Sequence, residues 1–134
     1  MKLELTEIKV GMKNEASEQV TEANTARAMG SGSLPVYATP AMTCLMEKAA
    51  TELAEPLLPA GWTTVGISLN VKHNAATPIA MGIRAVAEVT AVEGRKITYK
   101  VTATDGKDEI GIGTHERFAV QKEKFIAKAE AKKN

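Results

Sequence analysis

The stretch from Gly66 to Pro78, GISLNVKHNAATP, places an ionisable side chain at the end of a strand-like pattern. Apolar residues alternate with small or polar ones, as in a strand with one buried face, at Val65, Ile67, Leu69 and Val71. The next position on that face is His73, and the small residues after it would let a ligand approach the backbone closely. Because imidazole changes its charge near neutral pH, His73 is a candidate general acid and base. The alternative is a strand-end histidine satisfied by a backbone carbonyl.

Two residues of the segment YATPAMTCLMEKAA could add to such chemistry. Glu47 has only small neighbours one turn away on a helix, so it is either a carboxylate in a shallow groove or a solvent-facing residue paired with Lys48 or with nothing. Thr39 precedes Pro40 and is expected to be the helix N-cap, a role worth about 1 kcal/mol of stability. A threonine at a helix N-terminus can also lie at a site, because that end attracts developing negative charge.

Two other reactive side chains are assigned no role. His115 falls opposite Ile110, Ile112 and Phe118 in its strand pattern, so we expect it to point away from that apolar set. Cys44 has no histidine adjacent in sequence, and a buried or partly buried packing residue is the better interpretation.

These residues belong to one long helix and several strands. After Pro40, apolar residues recur at helical spacing until Pro56 ends the pattern: Met42, Leu45, Met46, Ala49 and Leu53. An early strand is predicted near residues 15–24, a loop at 30–40, and four strand-like runs follow the helix: WTTVGISLNVKH, MGIRAVAEVTAV, KITYKVTAT and DEIGIGTHERFAV. The segments 93–95 and 105–108 predict tight hairpins, and the Lys-rich C-terminal segment predicts a solvated helix. One helix facing one antiparallel sheet is an α+β two-layer domain.

Composition excludes several classes of protein. The chain has 134 residues, 17 Lys and Arg against 16 Asp and Glu, and a single cysteine. This length predicts one domain, residues 1–134, with a sizeable core. The sequence has no basic stripe with interleaved aromatics, so a nucleic-acid partner is not expected. No apolar run approaches the ~20 residues of a membrane span. No spacing of metal ligands is present, so no metal is expected. We expect a cytoplasmic protein.

Several separate blocks together resemble one known family. YATPAMTCLMEKAA, LPAGWTTVGISLNVKHNAATP, VEGRKITYKVTATDGKDEIGIGTHERFAV and EKF are similar, in the same order, to the hotdog-fold thioesterases of the fluoroacetyl-CoA thioesterase-like family. The resemblance implies a hotdog fold, a homodimer with higher assembly left open, and hydrolysis of small acyl-CoA thioesters with CoA as part of the substrate and no further cofactor. It places the family's catalytic residues on Thr39, Glu47 and His73, and its substrate-binding glycine and arginine on Gly66 and Arg117.

One departure from the family concerns selectivity. In the fluoroacetyl-specific member, the loop before the helix carries phenylalanines that form an apolar lid. Here that loop reads AMGSGSLPVYATP, and Tyr37 is its single aromatic residue. We therefore expect thioesterase activity without strong fluoroacetyl selectivity.

The mechanism is open between two routes at this point. In one, Glu47 attacks the thioester or activates Thr39 to attack; in the other, Glu47 or His73 activates water. Gly66 could leave a backbone amide for the oxyanion. Thr39 and Glu47 are eight residues apart, about 12 Å along one helix, so the substrate must bridge them or a second subunit must supply one.

Two other functions compete with hydrolysis of an acyl-CoA. A hotdog hydratase or dehydratase would act on carbon–carbon bonds of an acyl-CoA, and a non-catalytic module would only bind one. An acyl-carrier protein could also replace CoA as the carrier.

Overall fold

The computed structural model describes residues 5–134 and shows one long helix against an antiparallel sheet. The helices are α1 (Ala26–Met29), α2 (Thr39–Ala54) and α3 (Lys122–Glu130). The strands are β1 (Lys13–Gln19), β2 (Trp62–His73), β3 (Gly82–Glu93), β4 (Lys96–Thr104) and β5 (Glu109–Gln121). Three short 3₁₀ turns span Glu22–Asn24, Glu55–Leu57 and Ala131–Lys133. The α+β prediction is therefore confirmed.

The sheet has the strand order β1-β3-β4-β5-β2, so β1 and β2 are its edges within the described chain. Helix α2 contacts β1, β2, β3 and β4 and buries its apolar stripe against them. The buried stripe includes all the apolar positions predicted from the helical spacing: Met42, Leu45, Met46, Ala49 and Leu53. Burial of this stripe holds both ends of α2 against the sheet, and with them the residues it carries.

The early strand is confirmed with different bounds. It ends at Gln19 rather than near residue 24, because Asn24 closes a short 3₁₀ turn. The Asn24 side chain accepts a hydrogen bond from the Thr21 amide at 2.9 Å and donates one to the Gln19 carbonyl at 3.0 Å. These two bonds take backbone groups out of the strand and turn the chain toward α1.

The C-terminal helix and both tight hairpins are confirmed. Helix α3 has no buried residue. Gly94 and Gly106 have φ values of 63° and 88° in the two hairpin turns, a conformation that glycine adopts without steric cost. No helix in the described part of the chain is both long and apolar enough to cross a membrane.

The alternation predicted for β2 is wrong in its first half. The register between β2 and β5 shifts between Gly66 and Ser68, which marks a β-bulge at Ile67. Ile67 is 51% exposed rather than buried, whereas Thr64 is 4% exposed. Beyond the bulge, Leu69 and Val71 pack against the core as predicted. An extra residue in one strand reverses which side chains face the helix. The alternation predicted from the sequence therefore fails at the bulge.

Candidate active site

Thr39 and His73 meet at the start of α2. The hydroxyl oxygen of Thr39 lies 2.8 Å from Nδ1 of His73, at the end of β2. The expected N-cap role of Thr39 is wrong: Ala38 is the N-cap, and its carbonyl accepts the first helical bond, from the Met42 amide. The Thr39 hydroxyl is therefore engaged with an imidazole rather than with the backbone of its own helix, as a nucleophile paired with a base would be.

Burial lowers the pKa of His73, and the nearby Ala75 backbone opposes part of that shift. The neutral ring is therefore the dominant form at neutral pH, and its Nδ1 can accept the Thr39 proton. Nε2 is buried, and no group among residues 5–134 completes a hydrogen bond to it. A buried polar atom without a partner is uncommon in folded proteins, and such atoms are found at catalytic sites.

The pair opens onto a shallow cavity of about 280 Å³. Small side chains from the turn after His73 line it, as the sequence predicts, together with the loop before α2. The lining residues are Ala26, Ser31, Val36, Tyr37, Thr39, His73, Asn74, Ala75 and Ala76. The ring of Tyr37 is 1% exposed, and its hydroxyl donates a hydrogen bond to Glu18. That hydrogen bond ties the aromatic residue of the loop to β1, so it forms part of the cavity floor.

A second cluster surrounds Arg117, in the middle of β5. Arg117 is 7% exposed; its Nε donates to the Thr64 hydroxyl at 2.9 Å and its Nη2 to the Thr64 carbonyl at 3.0 Å. Its Nη1 lies 3.4 Å from the Glu47 carboxylate. Burial lowers the pKa of Arg117 and the Glu47 charge opposes that effect; the guanidinium remains protonated because its ordinary pKa is so high. Arg117 thus fixes the carboxylate predicted to act at the site.

Gly66 provides the space that the Glu47 carboxylate occupies. A Cβ atom built on Gly66 would lie 2.9 Å from Glu47 Oε2 and 3.4 Å from Arg117 Nη1. Any side chain there would displace the carboxylate. Glu47 itself keeps 43% of its side chain exposed, so it can meet a ligand.

His115 belongs to this cluster, and the sequence analysis missed it. It lies on the opposite face from Phe118, as predicted, but that face is the one that packs against the helix, and His115 is 1% exposed. Its Nδ1 donates to the Ser68 carbonyl at 2.8 Å, and its Nε2 accepts from Arg117 Nη1 at 3.2 Å. A carbonyl can only accept and a guanidinium can only donate, so His115 must be neutral. Its spacing of two residues from Arg117 on one strand was the available signal.

The structure therefore brings the five predicted site residues into two groups. Thr39 and His73 form one group; Glu47, Gly66 and Arg117 form the other. No hydrogen bond within the described residues joins the groups, and Thr39 and Glu47 are eight residues apart on α2, about 12 Å along its axis.

Cys44 is exposed, contrary to the expected packing role. Among residues 5–134, no group of three or more His, Cys, Asp or Glu side chains is placed to hold a metal ion.

Comparisons with known proteins agree on one family. The family model described as fluoroacetyl-CoA-specific thioesterase matches residues 20–123. The fluoroacetyl-CoA thioesterase of Streptantibioticus cattleyicolor is 44% identical over 97 residues, which cover 72% of this chain and 70% of that protein. A solved structure of the fluoroacetyl-CoA thioesterase FlK is 37% identical with a TM-score of 0.88, covering 93% of this chain and 97% of the other. A thioesterase superfamily member from Thermus thermophilus is 30% identical with a TM-score of 0.87, covering 94% and 93%.

The half-buried imidazole of His73 and the buried one of His115 predict a pH dependence of stability. The pKa of His73 and that of His115 are lowered from 6.5 in the folded protein, in both cases mainly by burial. Between the folded and unfolded pKa values, the unfolded chain binds more protons. The free energy of unfolding should therefore be highest above about pH 6.5 and fall as the pH decreases through that value, until the lowered pKa is reached.

Denaturant unfolding at about pH 7.5 and about pH 5.5 would measure this, above the ordinary carboxylate range near pH 4. The chain has two histidines, so the His73→Gln and His115→Gln variants should each lose part of the decline. An unchanged decline in both variants would contradict the assignment of neutral rings with lowered pKa values.

Proposed function

The chain belongs to the fluoroacetyl-CoA-specific thioesterase family, and we propose that Thr39, His73 and Glu47 carry out its reaction. It is a hotdog-fold acyl-CoA thioesterase, as the comparisons confirm, and we expect it to hydrolyse a short-chain acyl-CoA to the free acid and CoA. The competing hydratase and binding-module functions are not favoured. The observation that carries the assignment of residues is the 2.8 Å hydrogen bond between the Thr39 hydroxyl and His73 Nδ1.

The first half of the reaction uses Thr39 and His73. His73 accepts the Thr39 proton at Nδ1 while the oxygen attacks the thioester carbonyl. As the carbon–sulfur bond breaks, His73 returns the proton to the sulfur of CoA, leaving an acyl ester on Thr39. This route is supported over direct attack by Glu47, because the threonine and the base are already at hydrogen-bond distance.

The second half of the reaction needs water and a group to position it. Glu47, held by Arg117 at 3.4 Å, has half-exposed carboxylate oxygens that can orient a water and accept its proton. Gly66 and Arg117 are the proposed substrate-binding residues: Gly66 leaves room for the Glu47 carboxylate, and Arg117 holds that carboxylate where it can meet the ligand. Attack by the water oxygen forms the free acid and breaks the ester bond to Thr39, whose oxygen takes up the proton that Glu47 accepted, so both side chains return to their starting states.

A homodimer would join the two groups of residues. Strand β2 pairs only with β5 in the described chain, so one edge of a 12-residue strand is open, and Ile67 on it is 51% exposed. Two antiparallel β2 strands related by a twofold axis between Leu69 and Asn70 would set Gly66 opposite the partner's His73. Glu47 of one subunit would then serve the threonine and histidine of the other.

The acyl group is expected to be short. The cavity beside Thr39 and His73 has about 280 Å³ and lies among small side chains. A mutant of the fluoroacetyl-CoA thioesterase FlK, 36% identical to this chain, has been solved in complex with acetyl-CoA. We propose an acyl-CoA substrate, CoA entering as part of it, with no further cofactor and no nucleic-acid or membrane partner.

Two broader proposals complete the assignment. The chain is a single hotdog domain over residues 1–134, of which residues 1–4 lie outside the described ones. A cytoplasmic location is supported by the lone cysteine, which leaves no internal disulfide to maintain.

Substitutions within the first group should slow the reaction without unfolding the protein. Thr39→Val and His73→Ala should each lose about 10²–10⁴-fold in kcat for acetyl-CoA, the usual size of a proton-transfer contribution. Thr39→Ser keeps the hydroxyl and should stay active. Thr43→Val removes a hydroxyl one turn along the same helix and should keep the wild-type rate. Thiol release, followed with a chromogenic disulfide, measures the rates, and circular dichroism checks folding. Near-normal turnover by folded Thr39→Val would eliminate the threonine as nucleophile.

Mixing two inactive variants tests the shared site. A heterodimer of Glu47→Gln and His73→Ala subunits has one site with both residues intact if each site draws them from different subunits. Activity should therefore appear when the two inactive proteins are refolded together. Glu52→Gln, an exposed glutamate on α2, is the matched control and should be active alone. If the refolded mixture contains heterodimers and remains inactive, the two residues act within one subunit.

Selectivity for fluoroacetyl-CoA should be weak. Tyr37 is the single aromatic residue of the loop before α2, and its buried ring is hydrogen-bonded to Glu18, so this loop has no aromatic side chain free to close over the cavity. Comparable kcat/KM values for acetyl-CoA and fluoroacetyl-CoA are expected from parallel thiol-release assays. A ratio of about a hundredfold or more in favour of the fluorinated substrate would show that some other residue discriminates, because that ratio needs about 2.7 kcal/mol.

A further inference from the structure

A groove at the opposite end of β2 from His73 contains an arginine held between two aromatic rings. Arg95, in the turn between β3 and β4, has its guanidinium carbon 4.9 Å from the Phe118 ring centroid and 5.9 Å from that of Trp62. Contact with an aromatic face restrains a guanidinium and leaves the N–H groups along its edge available.

Arg95 differs from the other three arginines of the chain in its partners. Arg27 pairs with Glu22, Arg84 with Glu15 and Arg117 with Glu47, at N–O distances of 2.8, 3.1 and 3.4 Å. Within residues 5–134, no carboxylate lies within 4.0 Å of the Arg95 guanidinium, and none of its side-chain N–H groups donates a hydrogen bond. A planar guanidinium whose N–H groups have no partner is suited to a phosphate, which it can bind through two parallel hydrogen bonds.

Helix α3 adds two more cations to the same groove. Lys124 and Lys128 are one turn apart, so they lie on one face of α3, and both line the groove with Arg95. Neither has a carboxylate within 4.0 Å in the described part of the chain. Phe125 also lines the groove and is 42% exposed. The groove, of about 340 Å³, thus combines three unpaired cations with aromatic surface.

We propose that this groove binds the nucleotide end of the acyl-CoA substrate, its phosphates on Arg95, Lys124 and Lys128 and its adenine ring on the aromatic surface. The proposal rests on the proposed function, because the thioester must lie beside Glu47 and Gly66. Trp62 is four residues from Gly66 on β2, about 13 Å along the strand. An extended pantetheine arm of about 13 bonds spans about 15 Å at the reach per bond of an extended chain. The two lengths agree.

The aromatic surface favours a nucleotide over an acidic carrier protein. Three cations alone would attract either partner, since both are anionic. Phe125 presents an exposed ring beside the cations, and a purine can stack on such a ring, whereas an acidic helix surface has no flat group to offer it.

Calorimetric titration with two probes, CoA and pantetheine, tests the groove independently of hydrolysis. The wild-type protein should bind CoA at least about tenfold more tightly than pantetheine, and Arg95→Gln should remove most of that difference, as expected for charge-assisted hydrogen bonds. The triple variant Arg95→Gln/Lys124→Gln/Lys128→Gln should remove it fully. The matched control Arg84→Gln/Lys100→Gln/Lys107→Gln loses the same charge from exposed positions on β3, on β4 and in the turn after β4, and should keep it.

Kinetics with acetyl-CoA and acetyl-pantetheine separate the outcomes. The groove triple variant should raise KM for acetyl-CoA about tenfold or more, leave kcat within about twofold, and leave both constants for acetyl-pantetheine unchanged. Equal binding of CoA and pantetheine by the wild-type protein would overturn the proposal. So would an effect limited to thioesters of acyl-carrier protein. Absence of thioester hydrolysis combined with preferential CoA binding would instead reject the proposed function and retain the groove.

Discussion

The arrangement of the candidate site depends on the β-bulge at Ile67 in β2. Gly66 and His73 are seven residues apart, and in an uninterrupted strand an odd separation places side chains on opposite faces of the sheet. The register shift between Gly66 and Ser68 inserts one residue, so Gly66 and His73 both face α2. Without it, either the histidine would lose Thr39 or a side chain would have to replace Gly66 beside Glu47.

Arg117 is the buried charge around which the second group is organised. Its guanidinium hydrogen-bonds Thr64, Glu47 and His115, so three elements of the fold converge on it. A buried arginine is costly unless its donors are satisfied, and removal of one partner leaves the remaining charge uncompensated. The neutral ring of His115 accepts a hydrogen bond from Arg117 at Nε2 and so satisfies one of those donors without adding charge. The carboxylate of Glu47 therefore lies at the surface of the cluster, and the other residues of the cluster, Thr64, His115 and Arg117, are all buried.

The helix and the edge strand divide the chemistry between two places. Thr39 and Glu47 are fixed at different turns of α2, and the rigidity that positions each one also prevents them from meeting. Strand β2 carries Trp62 at one end, Gly66 near the middle and His73 at the other end, along an edge that no other described strand covers. An elongated thioester with a polar nucleotide end fits a linear arrangement of this kind, and a symmetric partner on the same edge would complete it.

The sequence determined the elements and the chemistry-bearing residues, since helix spacing, strand alternation and turn glycines are local patterns. Its blocks also pointed to Thr39, Glu47 and His73 through family resemblance. It did not determine which faces of the strands turn inward, because a bulge has no local signature strong enough to override alternation at Ile67. It also missed His115: its face of β5 is buried by a helix some 70 residues earlier in the chain, beside Glu47. Only the tertiary structure could decide these points, because burial, hydrogen-bond partners and the neutral state of an imidazole depend on residues that are distant in sequence and close in space.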